Sequence, residues 1–323
     1  MSLYDTYVST NAVLDQCILE MQGAVNYPMR NNQLPFPEID PVALAIGPIV
    51  VRWYALAYLA GILFAWVYGR HLLLRKSLWS SNGPPMNGAQ LIDFIFWAVL
   101  GVIIGGRLGY VLFYDILLSV GLNGADGLDA IYAGSFFLQE PLAIPQIWQG
   151  GMSFHGGLFG LVVALYFYIR HIGGSVLSGL DLMALISPIG LLFGRIANFI
   201  NGELYGRVTD MPWGVVFPMG GPDPRHPSQL YEGLLEGLLL FIILRIISHN
   251  FAGLRKPGLA AGVFGIGYAL SRIVVETVRE PDAHIGLLPF GLTMGMILSI
   301  PIALGGVVLI WNAFRKKPKA RAV

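Results

Sequence analysis

The sequence predicts an all-α, polytopic membrane protein with seven transmembrane helices. Hydrophobic residues make up 55% of its 323 residues and charged residues only 12%, whereas soluble domains carry about 25% charged residues. Seven stretches are long and apolar enough to cross a bilayer, and the charges between them alternate in sign. These three observations exclude an ordinary soluble domain.

The seven predicted spans are runs of about 18 or more mostly apolar residues. In chain order they are residues 43–69, 89–114, 152–170, 176–200, 230–248, 259–278 and 290–312. Basic residues lie at or after the ends of the first, third, fifth and seventh spans, among them Arg70, Arg170, Arg255 and Arg315. Residues 171–175 form a short link between the third and fourth spans.

The loops after the first, third, fifth and seventh spans are basic, and with the tail they hold all five lysines. The opposite segments are acidic or mixed. Residues 1–42 have one arginine against five carboxylates, and residues 115–151 have four carboxylates without lysine or arginine. Because basic loops stay in the cytoplasm, the N-terminus is predicted to lie outside and the C-terminus in the cytoplasm.

The predicted spans form a single seven-helix membrane domain over residues 34–323. Residues 1–33 offer neither a span nor a basic, apolar leader, so we interpret them as a dispensable N-terminal extension, with Met29 as a candidate initiator. The outer segment 115–151 is too long for a hairpin turn, so it is predicted to fold on the surface and to contribute to a lid. The lone cysteine, Cys17, excludes an internal disulfide.

Ionisable residues inside or at the end of a span cost several kcal/mol and therefore indicate a functional site. The densest group closes the fourth span and contains Arg195, Asn198, Asn201 and Glu203. A charged, polar ligand held at membrane depth is the function that this density favours.

Three other spans contribute polar residues on single helix faces. Arg107 lies in the second span and His155 begins the third, while Arg272, Glu276 and Arg279 share one face of the sixth. We therefore expect Arg107, His155, Arg195 and Arg272 at a similar depth in the outer half of the membrane.

Two interpretations of these charges remain open at the level of single residues. One is an internal salt-bridge network, with Arg272 paired to Glu276 and Arg195 paired to Glu203. The other is an anion site, because the basic groups outnumber the acids seen nearby and arginine binds phosphate in a bidentate manner. Taken together, the residues favour an anionic headgroup. The glycines of residues 101–109 have the spacing of close helix packing rather than of a nucleotide site.

The motifs resemble those of the phosphatidylglycerol–prolipoprotein diacylglyceryl transferase family over about residues 36–315. The resemblance rests on Gly194–Gly206, on the HGGL run at 155–158, on the RHPSQLYE run at 225–232, and on Arg272 with Glu276, Arg279 and Pro281-Asp282. The segment before about Leu34 is longer than the N-terminal segment typical of the family.

The resemblance implies a reaction and a location. The diacylglyceryl group of phosphatidylglycerol would pass to the lipobox cysteine thiol of a prolipoprotein signal peptide, giving a thioether and glycerol phosphate. The enzyme would lie in the bacterial cytoplasmic (inner) membrane as a multi-pass protein within the lipid bilayer, with its active site toward the outer leaflet. No cofactor, metal or nucleic acid is expected to take part.

The residues can be matched to this chemistry. Arg195 and Arg272 are expected to bind the phosphate, where preorganised cations stabilise developing negative charge, and His155 is a candidate base. Alternatively, His155 only hydrogen-bonds a loop and clustered arginines lower the thiol's pKa. The remaining predicted substrate-binding or gating residues are Asn198, Asn201, Glu203, Tyr54, Arg107, Tyr268, Glu276 and Arg279.

One rival class of function fits buried arginines equally well, namely a transporter or flippase of an anionic lipid. The sequence shows no convincing inverted repeat or matched pair of broken helices, which transporters commonly contain. A seven-span receptor or scaffold leaves the inward charges unexplained.

Overall fold

A computed structural model of the chain describes residues 34–116, 135–281 and 291–315, apart from residues 38 and 48. Its α-helices are α1 (Trp53–Leu74), α2 (Gly88–Tyr110), α3 (Phe136–Gln139), α4 (Phe154–His171), α5 (Val176–Ile200), α6 (Ser228–Glu232), α7 (Leu240–Asn250), α8 (Leu259–Glu276) and α9 (Met294–Arg315). π-Helical turns extend α2 through Val111–Ile116 and join α6 to α7 through Gly233–Leu239.

The short elements lie between these helices. Short 3₁₀ turns cover Lys76–Leu78, Pro141–Ala143, Ile147–Gln149 and Gly253–Arg255. Strand β1 (Leu34–Pro35) pairs in parallel with β4 (Val215–Val216), and β2 (Val42–Ile46) pairs antiparallel with β3 (Ile49–Arg52). The fold is therefore mainly helical, as predicted.

Among the described residues, five helices are long and apolar enough to cross a membrane. They are α1, α2 with its extension to Phe113, α5, α8 and α9. The predicted third span coincides with the 18-residue helix α4, and the predicted fifth lies within the continuous helical stretch from α6 to α7. A membrane protein is confirmed, whereas the count of seven and the orientation of the termini stay predictions.

The predicted start of the first span, at residue 43, is wrong. Residues 42–52 form the β2–β3 hairpin, and α1 begins only at Trp53. Gly47 turns the hairpin with a φ of 58°, a left-handed conformation that interrupts a helix. Hydropathy could not reveal this, because a short aliphatic run fits a strand and a helix equally well. The helix also continues past residue 69 to Leu74, so Arg70 lies inside it.

Glycines bring α2 and α4 into backbone contact, which confirms the close packing predicted from their spacing. A Cβ built on Gly160 would lie 2.0 Å from the carbonyl oxygen of Gly101, and one on Gly105 would lie 2.4 Å from that of Gly156. No side chain fits such distances, so glycine at these positions allows the two helices to approach.

The chain forms two compact units. Of the described residues, the first unit contains those within 34–61, 187–243, 265–281 and 291–304. The second contains those within 62–116, 135–186, 244–264 and 305–315. The arginines at 195, 272 and 279 belong to the first unit, whereas Arg107 and His155 belong to the second.

Several predicted features lie outside the described residues. These are the extension 1–33, most of the outer segment at residues 117–134, Asp282 of the last motif, the start of the seventh span at residue 290, and the basic tail 316–323.

The contact between α2 and α4 gives a first prediction. Gly160→Ala pushes a methyl group against the Gly101 carbonyl, so we expect a loss of at least about 2 kcal/mol of stability, measured as a lower melting temperature of the purified protein. Gly305→Ala is the matched control, because Gly305 lies inside α9 with no atom near its Cβ position. Equal melting temperatures for the two variants would contradict the close contact.

Candidate active site

The loop between α5 and α6 is held against the end of α8 by backbone hydrogen bonds. The Gly206 amide donates to the His226 carbonyl at 2.8 Å, and the Arg207 amide donates to the Val278 carbonyl at 2.8 Å. A Cβ on Gly206 would lie 2.5 Å from the Val278 oxygen. Three chain segments therefore meet at Gly206, and only glycine fits there.

Arg225 closes this loop on itself. Its guanidinium donates to the carbonyls of Gly220 and Gly206 at 2.7 and 3.2 Å, and it pairs with Glu280 at 2.8 Å. The same group lies 5.0 Å from the centre of the Tyr205 ring, a cation–π geometry. The RHPSQLYE run thus begins with a residue that shapes the loop.

Glu232, at the end of the same run, is the centre of a buried ion cluster. Its carboxylate is 0% exposed and contacts three arginines, one on α5, one on α8 and one just after α8. Oε2 lies 3.0 Å from Nε of Arg195, and Oε1 lies 2.5 Å from Nη1 of Arg272 and 3.0 Å from Nη1 of Arg279. One carboxylate therefore joins the end of α5 to the end of α8.

Two further glutamates complete the cluster. Glu236 lies 3.3 Å from Nη2 of Arg195. Glu276 lies 2.5 Å from Nη2 of Arg272 and 3.9 Å from Nε of Arg279. Three guanidinium groups and three carboxylates thus face one another, so the cluster is formally neutral when all six are ionised.

The cluster corrects two expectations from the sequence. Basic groups do not outnumber the acids, and Arg195 pairs with Glu232 and Glu236 rather than with Glu203. The expected pair of Arg272 with Glu276 is confirmed. A signal for Glu236 was present, since an ionisable residue in the predicted fifth span indicates a functional site.

The arginines form the accessible edge of this cluster. Arg195 and Arg272 are 14% and 13% exposed, whereas Glu232 and Glu236 are 0% exposed. A guanidinium has five N–H donors, and the described contacts of each of these two arginines to carboxylates use two nitrogens. The remaining N–H groups can donate hydrogen bonds to an anion.

A second polar group lies at the end of α5. The Asn198 side-chain amide donates to the Tyr54 hydroxyl and, at 2.8 Å, to Oε1 of Glu203. Gln229 donates its amide to the Glu203 carbonyl oxygen at 2.5 Å, which holds that residue in place. Tyr54 comes from α1, so three segments of the first unit build this group.

Two other predicted residues are placed in the same unit. Oδ1 of Asn201 is buried and has no hydrogen-bond partner among the described residues. Tyr268 is buried on α8, one turn before Arg272. The first unit therefore contains Tyr54, Arg195, Asn198, Asn201, Glu203, Tyr268, Arg272, Glu276 and Arg279.

Comparison with known protein families shows to which family the chain belongs. The family model for prolipoprotein diacylglyceryl transferase matches residues 41–312. The chain belongs to this family.

Three curated relatives show how similar the chain is. A phosphatidylglycerol–prolipoprotein diacylglyceryl transferase of Rhizobium leguminosarum bv. trifolii is 50% identical over 289 residues, covering 89% of this chain and 95% of the relative. Proteins of the same name from Rhizobium meliloti and Brucella canis are 51% and 52% identical over 290 and 283 residues. Those matches cover 90% and 87% of this chain, and 96% and 94% of the relatives.

In this member of the diacylglyceryl transferase family, Arg107 binds backbone carbonyls, whereas the cluster arginines pair with carboxylates. All five of its N–H donors bind backbone carbonyls at 2.5–3.3 Å, and Phe137 lies under the guanidinium at 4.8 Å. The acceptors are the carbonyl oxygens of Ala143, Ile144, Gln146, Gly150 and Gly151. The guanidinium therefore fixes the segment before α4, and a substrate-binding role for Arg107 stays a prediction.

His155 lies in the first turn of α4, behind the N-cap Ser153, whose hydroxyl accepts the Gly156 amide at 3.2 Å. Its ring is half-buried with its neighbour Phe154 edge-on at 5.6 Å. Because Arg107 and His155 belong to the second unit, their expected common depth with Arg195 and Arg272 stays a prediction.

In the loop before α6, burial lowers the pKa of His226 below its ordinary value. Its Nδ1 lies 3.2 Å from the Tyr231 hydroxyl, which accepts the Trp213 indole N–H at 2.6 Å. Burial therefore favours the neutral form of this ring.

The shared carboxylate gives a second prediction. Glu232→Ala leaves three arginines without their common partner, so we expect a loss of about 3–5 kcal/mol in stability, measured by thermal unfolding of the purified protein. Glu280→Ala removes only the half-exposed partner of Arg225 and is expected to cost about 1 kcal/mol or less. Similar losses for both variants would contradict the central place of Glu232.

Proposed function

We propose that this chain transfers the diacylglyceryl group of phosphatidylglycerol to the lipobox cysteine thiol of a prolipoprotein, giving a thioether and glycerol phosphate. Membership of the family and the names of the relatives support this reaction. The single observation that carries the site assignment is the exposed edge of Arg195 and Arg272 on an otherwise buried ion cluster.

The edge suits the phosphodiester of the lipid. The thiolate attacks the carbon that bears the phosphate ester oxygen, and the C–O bond breaks with its electron pair on that oxygen. Negative charge therefore grows on the phosphate, and the N–H donors of Arg195 and Arg272 that do not contact carboxylates are available to stabilise it. Because Glu232 holds both guanidinium groups before substrate arrives, little reorganisation accompanies the reaction.

The group around Asn198 suits the glycerol headgroup. The Asn198 amide orients the Glu203 carboxylate, whose remaining lone pairs can accept hydroxyl hydrogens. The buried Oδ1 of Asn201 is a second acceptor near the same helix end. Tyr54, through Asn198, ties this group to α1.

The thiol must lose a proton, since its ordinary pKa is about 8.5. His155 is the candidate base, because imidazole titrates near neutral pH. The reacting cysteine belongs to the substrate. The chain's own cysteine, Cys17, lies in the polar segment before the first predicted span.

The proposed setting is the bacterial inner membrane. The seven predicted spans and the basic loops support a topology with the N-terminus outside, the C-terminus in the cytoplasm and the active site toward the outer leaflet. The names of the relatives favour group transfer over transport of an anionic lipid.

The phosphate contact gives a third prediction. Arg195→Ala and Arg272→Ala are each expected to lower transfer at least about 100-fold, because each removes a preorganised donor from the developing charge. The measurement is the mass increase of a lipobox peptide incubated with phosphatidylglycerol and purified protein. Arg195→Lys keeps the charge but loses the planar fork, so it should fall between Ala and wild type.

Arg255→Ala is the control, since this exposed arginine binds the Ser77 carbonyl in the other unit. It should transfer at the wild-type rate. Full activity of either Ala variant at position 195 or 272 would contradict the phosphate assignment.

The base gives a fourth prediction. A histidine must be neutral to accept a proton, so His155→Gln should lower transfer about 100-fold and remove the acid limb of the pH–rate profile. His155→Asn should behave alike. Rates and profiles equal to those of the wild type would show that the arginines alone provide the thiolate.

A further inference from the structure

The ion cluster has balanced charges, so a bound anion changes its net charge. Arg195, Arg272 and Arg279 are matched by three carboxylates within contact distance. A phosphodiester that binds to the arginine edge therefore gives a site buried in the membrane a net negative charge. Such a charge is unfavourable in a medium of low dielectric constant. Uptake of a proton by one carboxylate restores neutrality.

Glu236 is the carboxylate with the weakest contacts. Glu232 contacts three arginines, and Glu276 contacts Arg272 at 2.5 Å. Glu236 has a single described ion pair, at 3.3 Å to Arg195. Its other oxygen, Oε1, is buried and has no hydrogen-bond partner among the described residues. This oxygen is the place in the cluster where an added proton costs least.

Charged and titratable groups face Glu236 from its own helix and from two neighbouring helices. Arg195 faces it from α5, Glu232 lies one turn earlier on its own helix, and Arg272 and Tyr268 face it from α8. Glu236 itself lies in the π-helical turn Gly233–Leu239, a type of irregularity that is frequent at functional sites. An anion bound to the same two arginines adds a further negative charge near Glu236, on top of the repulsion from Glu232, so the carboxylate form of Glu236 becomes less favourable.

We propose that binding of the phosphodiester anion of phosphatidylglycerol is coupled to the uptake of one proton from solvent at Glu236. The carboxylate becomes a carboxylic acid, and it returns to the carboxylate when the anionic product leaves. This inference rests on the proposed function, since it deepens the role of the same site. It makes Glu236 a residue that sets the affinity for substrate without touching it.

The test measures proton uptake directly. Short-chain phosphatidylglycerol is titrated into the purified wild-type protein in a calorimeter, in two buffers with different ionisation enthalpies. We expect about one proton taken up per lipid bound, and an affinity that falls by up to about tenfold per pH unit as the pH rises. This measurement needs no variant, so it holds even if a substitution in the cluster prevents folding.

Glu236→Gln supplies the specific test, because the amide keeps the shape of the side chain but cannot titrate. It should bind the lipid without proton uptake and with an affinity that does not change from about pH 6 to about pH 9. Glu280→Gln, at the half-exposed partner of Arg225, is the matched control and should keep the wild-type uptake.

The possible outcomes distinguish failure of the proton-uptake inference from failure of the proposed function. Lipid binding by the wild type without proton uptake, or uptake that persists in Glu236→Gln, would overturn the inference and leave the transferase assignment standing. No binding of phosphatidylglycerol by the wild type would contradict the proposed site itself.

Discussion

The carboxylate of Glu232 is the contact on which the rest of the site depends. It is fully buried, yet it binds three guanidinium groups that come from α5 and from the end of α8. Without it, Arg195, Arg272 and Arg279 would repel one another at close range. An unpaired charge is costly inside a membrane. Glu232 therefore makes the burial of the three arginines possible, and it fixes their positions before any substrate arrives.

Because its arginines are already paired with glutamates, the cluster can bind an anion without carrying a net positive charge. A site with an excess of cations would bind any anion tightly, including the anionic product. In the balanced cluster, the N–H donors of Arg195 and Arg272 lie at the accessible edge, and the carboxylates of Glu232 and Glu236 are buried. Affinity then depends on donors that point outward rather than on net charge, and such donors act most strongly where charge develops during the reaction.

The sequence predicted the helical membrane fold, close helix packing at the glycines of residues 101–109 and, in the salt-bridge alternative, the Arg272–Glu276 pair, because each depends on local spacing or composition. It could not predict which acid meets Arg195, since Glu232 is distant in sequence and the pairing arises only when helices pack. It also misplaced the start of α1, where aliphatic residues form a hairpin of the same hydropathy as a helix. Local patterns thus indicated the arginines, whereas their partners Glu232 and Glu236 emerged only from the tertiary structure.

Arg107 and Arg195 show why burial alone does not identify a functional arginine. Both lie in helices that are long and apolar enough to span a membrane, and both are at least largely buried. Arg107 has committed every N–H donor to a backbone carbonyl, so its contribution is complete once the segment before α4 has folded. Arg195 has described partners for only part of its donors and keeps an exposed edge. A buried cation can act on a ligand only through donors that the fold has not used, and by that criterion Arg195 is the better candidate for contact with phosphate.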